Sequence, residues 1–262
     1  MKIAGVTIKK GQNKQVKLAI AKLTSGTEID VPVIVSRGTG DGPVLLLMAG
    51  LHGDEINSVD VVRTIIEEQI NHVDNGTVIC VPILNIFGFI NFSREVPDGK
   101  DVNRSFPGYS KGSLASQIAY HLNKTILPHC DYIIDFHTGG KSRFNIPQTR
   151  AVLSNHRCKA LADAFNAPFN LHSNLIASTL RETAYNQGKT IIVYEGGEAL
   201  RFDTNATKVA ISGTKKVLQY LQMKAYDEPA TVSITKHKRK WLRAPVSGFF
   251  HPQVQIGQQI GR

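Results

Sequence analysis

The chain has 262 residues, of which 42% are hydrophobic and 20% charged. That balance suits a globular protein with a sizeable buried core and excludes a disordered or fibrous chain. At this length one large α/β domain with a small appendage is expected, because single cores stop growing at roughly 250–300 residues. A formal charge of +10 favours approach of anionic partners through a long-range field, without identifying one.

The amino terminus, MKIAGVTIKKGQNKQVKLAIAKL, is broken by lysines and polar residues every few positions, unlike the apolar core of a secretion signal. No apolar run approaches the roughly 20 residues that cross a bilayer, so a soluble, cytoplasmic protein is expected. Cys80, Cys130 and Cys158 lack CxxC spacing and read as buried thiols rather than a disulfide framework.

Short apolar, β-branched runs recur along the chain: VPVIVSR (31–37), PVLLLMAG (43–50), TVICVPIL (77–84), DYIIDF (131–136), AVLS (151–154) and TIIVYE (190–195). Helical patterns separate them, with Val59, Val62, Ile65, Ile66 and Ile70 on one stripe of 58–70. Further helices are expected over 112–127, 156–166 and 204–222. The alternation predicts a mostly parallel mixed sheet flanked by helices. From about Lys224 the texture changes to a polar stretch and then short runs spaced by Gly248, Gly257 and Gly261. This divides the chain into an α/β domain over 1–223 and a linker with an incomplete β-rich module over 224–262. The basic run Lys236 to Lys240 reads as a solvated connecting segment.

Ligands of open α/β sheets bind beyond the carboxyl ends of the strands, and three apolar runs lead there into polar residues. His52 and Glu55 follow LLLMAG, His137 ends DYIIDFH, and Glu195 ends TIIVYE. Two imidazoles and a carboxylate leave zinc one position for water, the composition of a hydrolytic centre. Residues three apart in a tight turn can face one point, and Gly53 is expected to allow a sharp turn between His52 and Glu55. A single HxxE occurs often by chance; three strand-end signals of matching chemistry carry the reading. In the loop 97–108, Arg104 offers a planar fork and Asn103 a hydrogen bond for a substrate carboxylate. A plain structural turn with Arg104 exposed is the alternative.

The segments HGDE (52–55), DVNRSFPG (101–108), DFHTGG (135–140) and YEGGEALRFD (194–203) resemble, in order, those of the succinylglutamate desuccinylase and aspartoacylase family, relatives of the zinc carboxypeptidases. The tail resembles the start of the β-rich carboxy-terminal module of many members, which continues well past the point where this chain stops. The resemblance implies one zinc ion on His52, Glu55 and His137, with Glu195 as general base. It also implies Asn103 and Arg104 as the substrate-carboxylate pair and Arg94 as the arginine polarising the scissile carbonyl. Asp101 would be the carboxylate orienting His52. The implied reaction is hydrolysis of the amide bond of a small N-acyl amino acid, with no membrane partner and a homo-oligomer left open. Three other readings stand beside it: a zinc carboxypeptidase, a basic nucleic-acid-binding protein using Lys236 to Lys240, and an α/β domain that binds metal without turnover.

Overall fold

A computed structural model of the protein describes residues 1–141, 143–258 and 260. A small hairpin of β1 (Lys2–Ile3) and β2 (Val6–Thr7) precedes the main sheet. The sheet strands are β3 (Asn13–Lys22), β4 (Glu28–Arg37), β5 (Gly40–Met48), β6 (Asn75–Val81), β7 (Tyr132–Gly139), β8 (Asn145–Ala151), β9 (Phe169–His172), β10 (Thr190–Glu198) and β11 (Ile234–Lys236). The helices are α1 (Ile56–Glu67), α2 (Ile86–Ile90), α3 (Leu114–Thr125), α4 (His156–Phe165), α5 (Leu180–Asn186) and α6 (Thr204–Tyr220).

Among the described residues the strands form one sheet in the order β11-β9-β8-β10-β7-β5-β6-β4-β3. The pairs β5–β6, β5–β7, β7–β10, β8–β9 and β9–β11 are parallel, whereas β3–β4, β4–β6 and β8–β10 are antiparallel. The expected mostly parallel mixed sheet is present. Its central strands are continuous apolar runs because helices cover both faces. On β5, Leu45 and Leu47 pack with residues of α1, α4 and α6, while Leu46 and Met48 join the layer containing α3 and α5. The same two-residue alternation sends Ile134 and Phe136 of β7 one way and Ile133 the other. Each fully buried leucine of this kind contributes about 1.5–3 kcal/mol through removal from water.

Four helices fall where the sequence periodicity places them; the short α2 and α5 are not among those expected, and the other differences lie in the strands. The strand expected at 151–154 occupies Asn145–Ala151 instead. It escapes a search for apolar runs because Pro147, Thr149 and Ala151 face the interior while Ile146, Gln148 and Arg150 alternate with them at partly open positions. The edge strand β3 shows alternation, with Val16, Leu18 and Ile20 buried between lysines and other exposed neighbours. Residues 234–236 of the expected linker pair with β9, extending the main sheet. Beyond Lys236 no strand occurs among the described residues, and Gly261 lies outside them. Cys80, Cys130 and Cys158 are free and buried. No helix among the described residues is long and apolar enough to cross a membrane.

Candidate active site

Three adjacent strands, β5, β7 and β10, deliver the strand-end residues to one place. Met48 pairs with Asp135, Val193 with Asp135, and Glu195 with His137. After β5 the chain turns at Gly50, whose φ of +61° lies in the left-handed region that glycine adopts at no steric cost. The turn expected at Gly53 is also present, closed by the Glu55 amide donating to the His52 carbonyl at 3.3 Å. Gly53 has another duty: a Cβ there would overlap the backbone of Gly88 and Phe89 in α2. Glu55 opens α1 without using its side chain as a cap, leaving the carboxylate free to fold back into the site.

His52, Glu55 and His137 converge there, each buried, with one potential ligand atom apiece lying within 4.8 Å of the others. The two Nδ1 atoms are 3.2 Å apart, and the Glu55 oxygens lie 2.8 Å from each of them. Donors about 2.0–2.1 Å from a tetrahedral zinc are separated by roughly 3.4 Å, close to the nitrogen spacing found. Each imidazole also meets a carboxylate on its far side: Asp135 Oδ2 is 2.9 Å from His137 Nε2, and Asp101 Oδ1 is 3.4 Å from His52 Nε2. The second contact is too long for a good hydrogen bond but keeps opposite charges adjacent. Imidazoles turned with one nitrogen inward and the other backed by a carboxylate have the arrangement of metal-ligating histidines. These residues fit a zinc ion by donor chemistry, spacing and burial.

The same contacts set the electrostatics. Burial alone would raise the Glu55 pKa, but the charges of His52 and His137 and their hydrogen bonds hold it well below the usual carboxylate range. Burial likewise disfavours protonated His137, yet Asp135 and Glu55 outweigh it and carry its pKa well above the ordinary value. Asp101 is depressed: burial opposes its ionisation, and the adjacent charge of His52, with the charge and hydrogen bonds of Arg94, overcomes that.

Arg94 lies in the loop after α2. Its Nε and Nη2 donate to Asp101 Oδ2 at 3.1 and 2.9 Å, and its Nη1 is 3.2 Å from His52 Nδ1 and 3.5 Å from Glu55 Oε1. Asp101 thus touches both His52 and Arg94. Asn103 Oδ1 accepts a bond from the Leu180 amide at 3.0 Å, tying the 97–108 loop to α5. The exposed Arg104 donates from Nη1 to the Asn103 carbonyl at 2.7 Å. Asn103, Arg104, Arg94, Asp101, Glu195 and the three convergent residues all border one cavity of about 730 Å³, within the range of small-molecule sites.

Sequence reasoning missed several residues of that cavity. Arg150 and Asn145 of β8 contact Glu195 at 2.9 and 2.7 Å. Arg181 of α5 is held by the Ser173 carbonyl at 3.1 Å and the Asn174 carbonyl at 2.5 Å. Arg239, read as part of a solvated basic run, reaches the cavity and donates to Ser173 Oγ at 3.2 Å; Trp241 and Ile256 also border it. Only Asp135 carried a usable signal, because its place two residues before His137 on a strand puts both side chains on one face.

Residues 41–221 match the family model of the succinylglutamate desuccinylase/aspartoacylase catalytic domain. The chain belongs to this family. Among characterised relatives it is 33% identical over 175 residues to the N-alpha-acetyl-L-2,4-diaminobutyric acid deacetylase of Halomonas elongata, a match covering 64% of this chain and 51% of that one. The match thus spans about half the length of that relative. A solved succinylglutamate desuccinylase/aspartoacylase from Rhodobacter sphaeroides superposes with a TM-score of 0.83 at 26% identity, over 99% of this chain and 84% of the other. A metallo-carboxypeptidase from Burkholderia cenocepacia shares the fold, with a TM-score of 0.63 at 11% identity over 79% and 64% of the two chains. The desuccinylase/aspartoacylase fold is thus of the metallo-carboxypeptidase kind.

Proposed function

We propose that the protein is a zinc-dependent hydrolase that cleaves the amide bond of an N-acyl amino acid or a related small acylated amine. The carrying observation is that His52, Glu55, His137 and Glu195, from three adjacent strand ends, share one cavity in a chain that matches a deacylase catalytic domain. On this reading residues 1–223 are the hydrolase domain, and 224–262 are a linker and an incomplete β-rich module.

Zinc held by His52, Glu55 and His137 would supply Lewis acidity and lower the pKa of water toward about 7. Asp135 and Asp101 orient the two imidazoles. Glu195 accepts the proton of the attacking water and returns it to the departing amine. Burial raises the Glu195 pKa and Arg150 opposes that rise, a balance suited to a group that both takes and gives a proton. Arg94, fixed by Asp101, places a permanent positive charge beside the metal ligands where the carbonyl oxygen gains negative charge. Asn103 and Arg104 bind the substrate carboxylate at the cavity mouth. The cavity volume of about 730 Å³ accommodates one small acylated amine.

The test is a hydrolysis screen on zinc-loaded protein with N-acetyl-L-2,4-diaminobutyrate, N-succinyl-L-glutamate, N-acetyl-L-aspartate and short peptides, alongside Glu195→Gln. Turnover of an N-acyl amino acid is expected, reduced about 10²–10⁴-fold in the variant with zinc retained. Preference for peptides, or a variant as fast as the wild type, would reject the reading.

A further inference from the structure

The residues that fix Glu195 come from β8, a strand that supplies none of the convergent His52, Glu55 and His137 group. In the antiparallel pairing of β8 with β10, Val193 faces Arg150 and Glu195 faces Gln148. Directly opposed residues share a face and a diagonal neighbour lies within reach of a long side chain. Arg150 is therefore on the Glu195 face, one diagonal step away, and its Nη1 meets Glu195 Oε1 at 2.9 Å. Past Glu195 the register slips, so that Gly197 pairs with Asn145. The extra residue falls on β8 and turns Asn145 onto the same face, as bulges do when they re-aim a side chain. Asn145 Nδ2 then donates to Glu195 Oε2 at 2.7 Å.

Both carboxylate oxygens are thus held by one strand, from opposite sides. Each oxygen retains a second lone pair for a water proton. Glu195 is only 9% exposed and feels the charge of Glu55, against which Arg150 is the largest of the opposing positive charges and the one in direct contact. Arg181 and Arg239 add like charge around Arg150 and leave Glu195 as its partner.

We propose that Arg150, assisted by Asn145 across the β8 bulge, is the positioning residue that holds the Glu195 carboxylate in its working orientation. The inference rests on the reading of Glu195 as the base. Glu195 acts on the reacting water, and Arg150 acts through Glu195.

The experiment compares Arg150→Met, which keeps the apolar stem, with Arg150→Lys, which keeps the charge, and with Glu195→Gln in the zinc-loaded protein. N-acetyl-L-2,4-diaminobutyrate, N-succinyl-L-glutamate and N-acetyl-L-aspartate serve as probes. Arg150→Met is expected to lower kcat roughly 10- to 100-fold with KM within about threefold and zinc content unchanged. Arg150→Lys should recover most of the loss, and a crystal structure of Arg150→Met should show the Glu195 carboxylate rotated. An unchanged kcat, an unmoved carboxylate, or a loss residing wholly in KM would overturn the proposal, the last by making Arg150 a substrate contact. Failure of the underlying reading looks different: Glu195→Gln would then turn over at the wild-type rate, whatever the Arg150 variants do.

Discussion

Glu195 and His137 are register partners on the adjacent parallel strands β10 and β7, so a proposed proton-transfer group and a metal-ligand candidate are joined by the backbone ladder itself. Their separation is set by strand spacing, about 4.8 Å, and does not depend on a flexible loop. The wall of the cavity is correspondingly rigid at the point where orientation matters most.

The back-side carboxylate of His137 separates binding from orientation. His137→Ala removes one of three donors and should reduce bound zinc from about one per chain to little or none. Asp135→Asn keeps all three donors but weakens the hold on the ring, and zinc affinity should fall about 10- to 100-fold. Zinc titration with elemental analysis checks both; unchanged stoichiometry in His137→Ala would remove that residue from the ligand set.

Gly53 offers a test of packing. Its would-be Cβ meets backbone atoms of Gly88 and Phe89, which cannot rotate aside as a side chain can. Gly53→Ala should cost about 1–3 kcal/mol by overpacking and weaken zinc binding, because His52 and Glu55 flank the displaced turn. Urea denaturation and zinc titration of one variant measure both effects. Wild-type values in each would mean that α2 moves freely against the turn.

Asp101 links the site to acid stability. Its folded pKa is below the ordinary value because the adjacent charge of His52, with the charge and hydrogen bonds of Arg94, outweighs burial. A depressed folded pKa contributes stability that is complete above the unfolded pKa near 4 and is lost as pH falls through the folded value. In metal-free protein, Asp101→Asn should cost about 1–3 kcal/mol at pH 6. The gap from wild type should narrow steadily below pH 4. Urea melts at pH 6, 4 and 3 follow it, and a gap independent of pH would sink this account.

His52, Glu55, His137 and Glu195 were legible in the sequence because each follows an apolar run, and strand ends are where an α/β sheet gathers polar groups. The helices were legible through their 3.6-residue repeat, which one buried face imposes. Local pattern carried no trace of Arg150, Asn145, Arg181 or Arg239 as neighbours of the site. Their placement depends on how β8 registers against β10, on one bulge, and on the path of the chain beyond β11. Burial of side chains writes a periodicity into the sequence; pairing between distant strands writes none, since any two strands of similar pattern satisfy the backbone equally. The chain alone therefore determined the fold class and the likeness of its site to a zinc hydrolase, while the tertiary structure decided what holds Glu195 and what lines the cavity.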